Sequence, residues 1–216
     1  MKQSQIKKLI SGSIISTTLF ISACTGISKN VVKEDINADL AGLIQDESMK
    51  PALVYIRPDA PTLADYKKFM FDPIKIDYSD PDIKNISTED IQSLQSYFLS
   101  AMTTELNNSG YQVVTQPDKS VLRISFTLSN LKAPSSLMNA TLLVVPGVTL
   151  SVGEVSIEGV FRDSISRKVN AVVYEGSQGS YLFKDKPWST FSDIEAAFDR
   201  WAIGFTKAVN SAHNAK

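Results

Sequence analysis

The stretch Val121-Leu122-Arg123-Ile124-Ser125-Phe126-Thr127-Leu128 decides the fold. Leu122, Ile124, Phe126 and Leu128 fall on one side of an extended chain, and Arg123, Ser125 and Thr127 on the other. An unbroken period of two specifies a strand with one face buried. Downstream, Glu154 to Arg162 repeats the pattern, with Val155, Ile157 and Phe161 inward and Glu154, Ser156 and Glu158 outward. Val169 to Glu175 follows across a turn at 163–167, which predicts an antiparallel pair. Upstream, Tyr111 to Thr115 reads as a short strand. Tyr66 to Tyr78 reads as a longer one whose parity slips at Asp72-Pro73, the mark of an edge position or a bulge.

Two segments have helical spacing instead. In 87–108, Ile91, Leu94, Phe98, Ala101, Met102 and Leu106 make one stripe. Ser87-Thr88-Glu89-Asp90 supplies a cap and first-turn acids, and Asn107-Asn108-Ser109-Gly110 a stop. In 191–212, Ile194, Ala197, Phe198, Trp201, Phe205, Ala208 and Val209 make another, with Ser192 and Glu195 spaced as a capping box. The order strand, helix, four strands, helix predicts an α+β fold. Its economical form is a two-layer sandwich, a mixed and mostly antiparallel sheet with two long helices on one face.

The N-terminus reads differently. Lys2, Lys7 and Lys8 precede Leu9 to Ala23, which carries no charge. A basic start, a short apolar run and small residues before a cut make a secretory signal. The run is shorter than the roughly 20 residues of a spanning helix and is diluted by Ser and Thr. The chain's one Cys closes it. Ile21-Ser22-Ala23-Cys24 resembles the lipobox of bacterial lipoproteins: aliphatic, small, small, Cys. That resemblance implies a diacylglycerol on the Cys24 sulfur, cleavage before it, and acylation of the new amine by a chain such as palmitate. Each buried CH₂ adds about 0.8 kcal/mol, so several chains anchor firmly where one binds only marginally. Thr25 stands where an Asp retains a lipoprotein in the inner membrane, so the resemblance implies an outer-membrane, periplasm-facing address.

Composition excludes several classes. Of 216 residues, 22 are basic and 23 acidic, which leaves no electrostatic footprint for nucleic acid. Removing residues 1–23 takes three lysines and no acid, so the mature chain is mildly acidic. One Cys allows no internal disulfide or multi-thiolate metal site, and one His no two-His site. No cofactor and no metal is expected. The chain divides into a signal peptide (1–23), a lipidated tether with a possible short helix at 34–45 (24–60), and a single α/β envelope domain (61–213). Thr25 to Asn30 is small and polar, as flexible tethers are.

Several of these residues carry a wider likeness. Tyr55-Ile56-Arg57-Pro58, Tyr66 to Ile74, Ile157 to Ser164 and Trp201-Ala202 resemble the pattern of the proteobacterial lipoproteins grouped as domain of unknown function 3313. The likeness runs from about Leu53 to Val209, and the chain departs from it by a longer apolar insertion, Leu137 to Val152. It implies a secreted, lipid-anchored envelope protein and supplies no catalytic residues to carry over.

Candidate sites are few. His213 reads as solvated tail. Asp77, Asp80 and Asp82 lack the Gly and distal Glu of a calcium loop and read as turn chemistry. Glu154, Glu158 and Glu175 are the carboxylates available for acid–base work, though outward acids on a strand are ordinarily solvated. Thr141 to Leu150 is uncharged, with Val144, Val145 and Val148 flanking Pro146-Gly147. It reads either as a buried hairpin or as an exposed apolar finger touching a partner or lipid. Tyr181, Phe183 and Trp188 beside Lys184 and Lys186 form a second candidate surface.

The expectation is a non-enzymatic, lipid-anchored binding or accessory module with an envelope-protein partner. The alternative is an accessory lipoprotein that carries a lipid or small molecule in an apolar groove under the helices. An enzyme using carboxylates alone is the third class. Replacing Cys24 with Ala should abolish acyl labelling and membrane fractionation. A variant that still takes up labelled acyl chains and still sediments with membranes would contradict the lipobox reading.

Overall fold

The computed structural model describes residues 26–133, 153–179 and 191–215. The strands are β1 (Gly26–Lys29), β2 (Ile44–Gln45), β3 (Leu53–Ile56), β4 (Lys68–Phe71), β5 (Lys75–Ile76), β6 (Gln112–Val113), β7 (Val121–Lys132), β8 (Glu154–Asp163) and β9 (Val169–Gly179). The helices are α1 (Thr88–Asn108) and α2 (Ser192–Asn214). The sheet runs β2-β3-β9-β8-β7-β4-β6. It is mixed and mostly antiparallel, an α+β fold with both helices packed on one face. β7, β8 and β9 form an antiparallel meander at its centre, while β4, β5 and β6 pair in parallel. β4, α1 and β6 make the crossover that a parallel pair requires.

Alternation in β7 follows from its position between β8 on one side and β4 and β5 on the other. Leu122, Ile124, Phe126 and Leu128 are buried beneath the helices. There the Phe98 ring lies 5.0 Å from that of Phe126 and 4.9 Å from that of Phe198. Phe69 meets Tyr111 and Phe205 edge-on. Each such buried side chain contributes roughly 1.5–3 kcal/mol, so this layer dominates the stability. The parity slip at Asp72-Pro73 is a one-residue bulge. Phe71 pairs with Ile124 and Lys75 with Thr127, so four steps on one strand match three on the other. A second bulge interrupts β7 between Ser129 and Lys132, where Asn130 takes a left-handed φ of 49°. Asn tolerates that conformation better than most residues.

Both helix ends at 87 and 110 match the sequence. The Ser87 hydroxyl accepts from the Asp90 N–H, and Gly110 takes φ 84° to turn the chain out of α1. The capping box at Ser192 and Glu195 does not form. Ser192 is itself the first helical residue, and its buried hydroxyl has no partner among the described residues. His213 is no free tail either. α2 continues through it, its Nδ1 lies 3.0 Å from the Val209 carbonyl, and its ring lies 5.4 Å from that of Tyr111.

The largest departure is at the N-terminus. Where the sequence reads as tether, Gly26–Lys29 is a strand paired to Gly176–Gly179 of β9. Where it reads as a helix over 34–45, the chain makes one 3-10 turn, Lys33–Asp35, and then crosses the outer face of the sheet as an irregular strap. Gly42, at φ 73°, is incompatible with a right-handed helix there. The apolar spacing serves the strap instead. Ile36, Leu40 and Leu43 pack on Leu53, Tyr55, Val160, Val172 and Tyr174. Gly176 makes room for the crossing, because a Cβ there would lie 3.0 Å from Lys29 and 3.1 Å from Val31.

The strap also reverses the reading of Glu158. This outer-face carboxylate is buried, and its Oε2 accepts from the N–H groups of Asn37 (2.6 Å) and Ala38 (3.2 Å). Without it, two backbone donors would lose their partner against the sheet. Hydrogen bonds to charged groups are worth about 1.5–3 kcal/mol, so Glu158→Ala should lower unfolding free energy by that order. The same variant should speed hydrogen exchange over residues 31–43, and unchanged exchange there would remove Glu158 as the clasp.

Candidate functional site

The acids singled out from sequence do not converge. Glu158 pairs across the sheet with Tyr174, whereas Glu175 pairs with Ile157 and so lies on the opposite, helix-covered face. Glu154 is held by Lys29 at 2.9 Å. Asp77 and Asp80 accept from the N–H groups of Ser79 and Asp82, and Asp82 pairs with Lys132 at 3.1 Å. These are turn and surface contacts. Among the described residues, no cluster of three or more His, Cys, Asp or Glu is arranged to hold a metal ion.

Two polar networks do form. On the outer face, the Asp72 carboxylate at the bulge accepts from Arg123 Nε at 2.8 Å and from the Ser125 hydroxyl. Arg162 Nη1 donates in turn to Ser125 Oγ at 3.0 Å. Burial pushes the Asp72 carboxyl up, but the hydrogen bonds from Arg123 and Ser125 and the charges of Arg123 and Arg162 outweigh it. The group is held below the ordinary aspartate value. Its chemistry is structural, a carboxylate fixed in its ionised form between two guanidinium groups.

The second network lies between β9 and the start of α2. Glu175 faces Trp201 and Arg200, and Arg200 Nη2 donates to the Ser177 hydroxyl. Burial raises the Glu175 pKa, against a hydrogen bond from Trp201 and the charge of Arg200. Burial likewise lowers that of Arg200, against the charges of Glu175, Asp193 and Asp199. Arg200 Nη1 is buried without a partner among the described residues. This is an apolar face interrupted by charge, at one end of the sheet.

That end gathers much of the chain. Gly26 of β1 pairs with Gly179. The Gly179 N–H donates to the Gly153 carbonyl at 2.8 Å, and the Gly153 N–H to Asp193 Oδ2 at 3.0 Å. Gly179 admits no side chain, since a Cβ there would lie 2.3 Å from the Asp193 carboxyl carbon. Lys132 stands beside Glu154 in register. Gly26, Ala133, Gly153, Gly179 and Phe191 thus lie at the same end of the sheet.

Of the sites read from sequence, Cys24, Val144, Val145, Val148, Tyr181, Phe183 and Trp188 lie outside the described residues. Nothing in the sequence pattern signals that β1 brings Gly26 to the same end of the sheet as Gly153 and Gly179.

A shallow groove of about 410 Å³ separates the solvent-facing sides of the helices, lined by Tyr97, Ser100, Ala101 and Thr104 of α1 and Asp199 and Ile203 of α2. Tyr97 Oη donates to the Asp199 carboxylate at 3.0 Å along its floor. The space under the helices, where a carried ligand would sit, is filled at its centre by the rings of Phe98, Phe126 and Phe198. No described helix is long and apolar enough to cross a membrane.

With this architecture in place, the chain's relationships can be stated. The profile of the family described as "Protein of unknown function (DUF3313)" matches residues 33–205, most of the chain that forms this sheet and its two helices. The chain belongs to that family. No curated protein matches it at a significant level. Among solved structures, the PelC dodecamer from Paraburkholderia phytofirmans is similar at 13% identity and a TM-score of 0.43, covering 72% of this chain and 96% of that one. A minor lipoprotein from Acinetobacter baumannii is similar at 13% identity and a TM-score of 0.34, covering 68% and 92%. A DUF4136 family protein from Bacteroides thetaiotaomicron is similar at 13% identity and 0.32, covering 81% and 95%. Likenesses this distant bear on neither activity nor partners.

Glu175 gives a pH prediction. Its folded state holds a proton more tightly than the unfolded chain, whose value is near 4.5. Its contribution to stability therefore falls as pH rises from there through the raised folded value. Glu175→Gln keeps an acceptor for Trp201 and removes the titration. Its melting temperature should match or exceed that of the parent at pH 7, with a shallower decline above pH 4.5. A variant markedly less stable at pH 7 would show that the ionised form stabilises the fold.

Proposed function

We propose that this chain is a lipid-anchored protein of the bacterial cell envelope, held at the periplasmic face of the outer membrane through Cys24. It acts there as a non-enzymatic binding or accessory module for another envelope protein. The observation that carries this reading is the lipobox-like Ile21-Ser22-Ala23-Cys24 behind a basic, uncharged-core leader, placed where the fold itself begins. The disposition of the titratable groups supports the non-enzymatic part. Asp72 and Glu158 are committed to hydrogen bonds that hold strands and strap together, and Glu175 is separated from Glu154 and Glu158 by the thickness of the sheet. Catalysis by paired carboxylates requires the two acids to flank one bond.

The address is tested at Thr25. In cells with two membranes, the parent should fractionate with the outer membrane and Thr25→Asp with the inner, both carrying the same acyl groups on Cys24, their N-terminal masses differing only by the substitution. Identical fractionation of the two would contradict the outer-membrane assignment. In-cell crosslinking of the anchored chain should return one discrete envelope protein, whereas lipid copurifying with the unlipidated domain would favour the carrier alternative.

A further inference from the structure

We propose that the end of the sheet at which β1 begins is apposed to the lipid bilayer, so that the domain stands end-on with the Asp163–Lys168 hairpin farthest from the membrane. The inference rests on the anchoring reading above, because it takes Cys24 as the point of attachment.

The first argument is slack. Gly26 is already paired with Gly179, and only Thr25 separates it from Cys24. Two residue steps reach about 7 Å at full extension. A flexible tether running to residue 60 would leave the domain free to tumble far from the surface. A strand annealed from Gly26 does not. The pairing continues through Lys29, and the strap beyond it is pinned to the sheet by Glu158, so slack is not released from behind.

The second argument is direction. Gly26 to Lys29 pair with Gly179 to Gly176, so the chain runs from the point of attachment along β9 rather than across the sheet. The 11 residues of β9 span about 35 Å at roughly 3.3 Å per residue, which sets how far the hairpin stands from the surface.

The chain's one Cys carries the lipid, so an introduced thiol can be labelled alone. Lys84→Cys lies in the 3-10 turn beside Lys132 at the membrane-facing end, far in sequence from the anchor. Lys119→Cys and Ser166→Cys lie at the opposite end, and all three positions are exposed. Each lipidated variant is labelled with a fluorophore in phosphatidylethanolamine–phosphatidylglycerol vesicles bearing headgroup spin labels. Quenching should be several-fold stronger at position 84 than at 119 or 166. Inserting about ten Gly and Ser residues after Thr25 should abolish the difference. Equal quenching at all three positions in the native-length protein, as for a domain lying on its side, would overturn the proposal. The N-terminal mass separates the two readings. A chain without acyl groups overturns the anchoring itself, whereas an acylated chain with equal quenching overturns only the orientation.

Discussion

Backbone pairing between Gly26–Lys29 and the last residues of β9 fixes how the N-terminal part of the chain joins the sheet. β9 is paired along both edges, with β8 on one side and β1 and β3 in succession on the other. A strand in that position has no free edge to offer other chains, which removes an aggregation hazard. It also joins the chain that follows Cys24 to the central strands of the sheet. On the proposed anchoring, the distance between membrane and fold is set by a strand register rather than by a linker's length.

The two faces of the sheet are stabilised by different physics. The helix face is a conventional apolar layer, built from aromatic rings of β4, β7, α1 and α2 in mutual contact. The outer face is polar by pattern yet partly buried, because a strap lies across it. Burying polar groups costs free energy unless each finds a partner. Here the Glu158 carboxylate receives the strap's own N–H groups, and Asp72 joins Arg123, Ser125 and Arg162 across three strands. Charged residues that stand out in the sequence therefore turn out to be fasteners. The exception is Glu175 with Arg200, where burial dominates both groups and the sheet end is left with charge beneath a helix.

Periodicity revealed those parts of the fold that bury a single regular face. β7, β8, α1 and α2 were readable because a period of two or 3.6 maps directly onto burial, and the Asp72 bulge because it breaks that period. Sequence pattern failed where burial comes from elsewhere. Gly26-Ile27-Ser28-Lys29 carries no strand signal, since what makes it a strand is the open edge of β9. Ile36, Leu40 and Leu43 are spaced as on a helix but pack from an irregular strap, and Gly42 was the available warning. Glu158 alternates outward as a solvated residue does, and only the strap's path explains its burial.

A rigid, short-leashed domain presents partners with a fixed surface at a fixed height, which a flexible tether cannot do. That account stands or falls on β1 being formed in the anchored protein. Hydrogen exchange on the lipidated, membrane-bound chain reads it directly. Those amides of Ile27–Lys29 that face β9 should exchange slowly, in step with the β9 residues 176–179 that pair with them. Exchange at the rate of an unstructured peptide over 27–29, with residues 171–174 still protected, would contradict it.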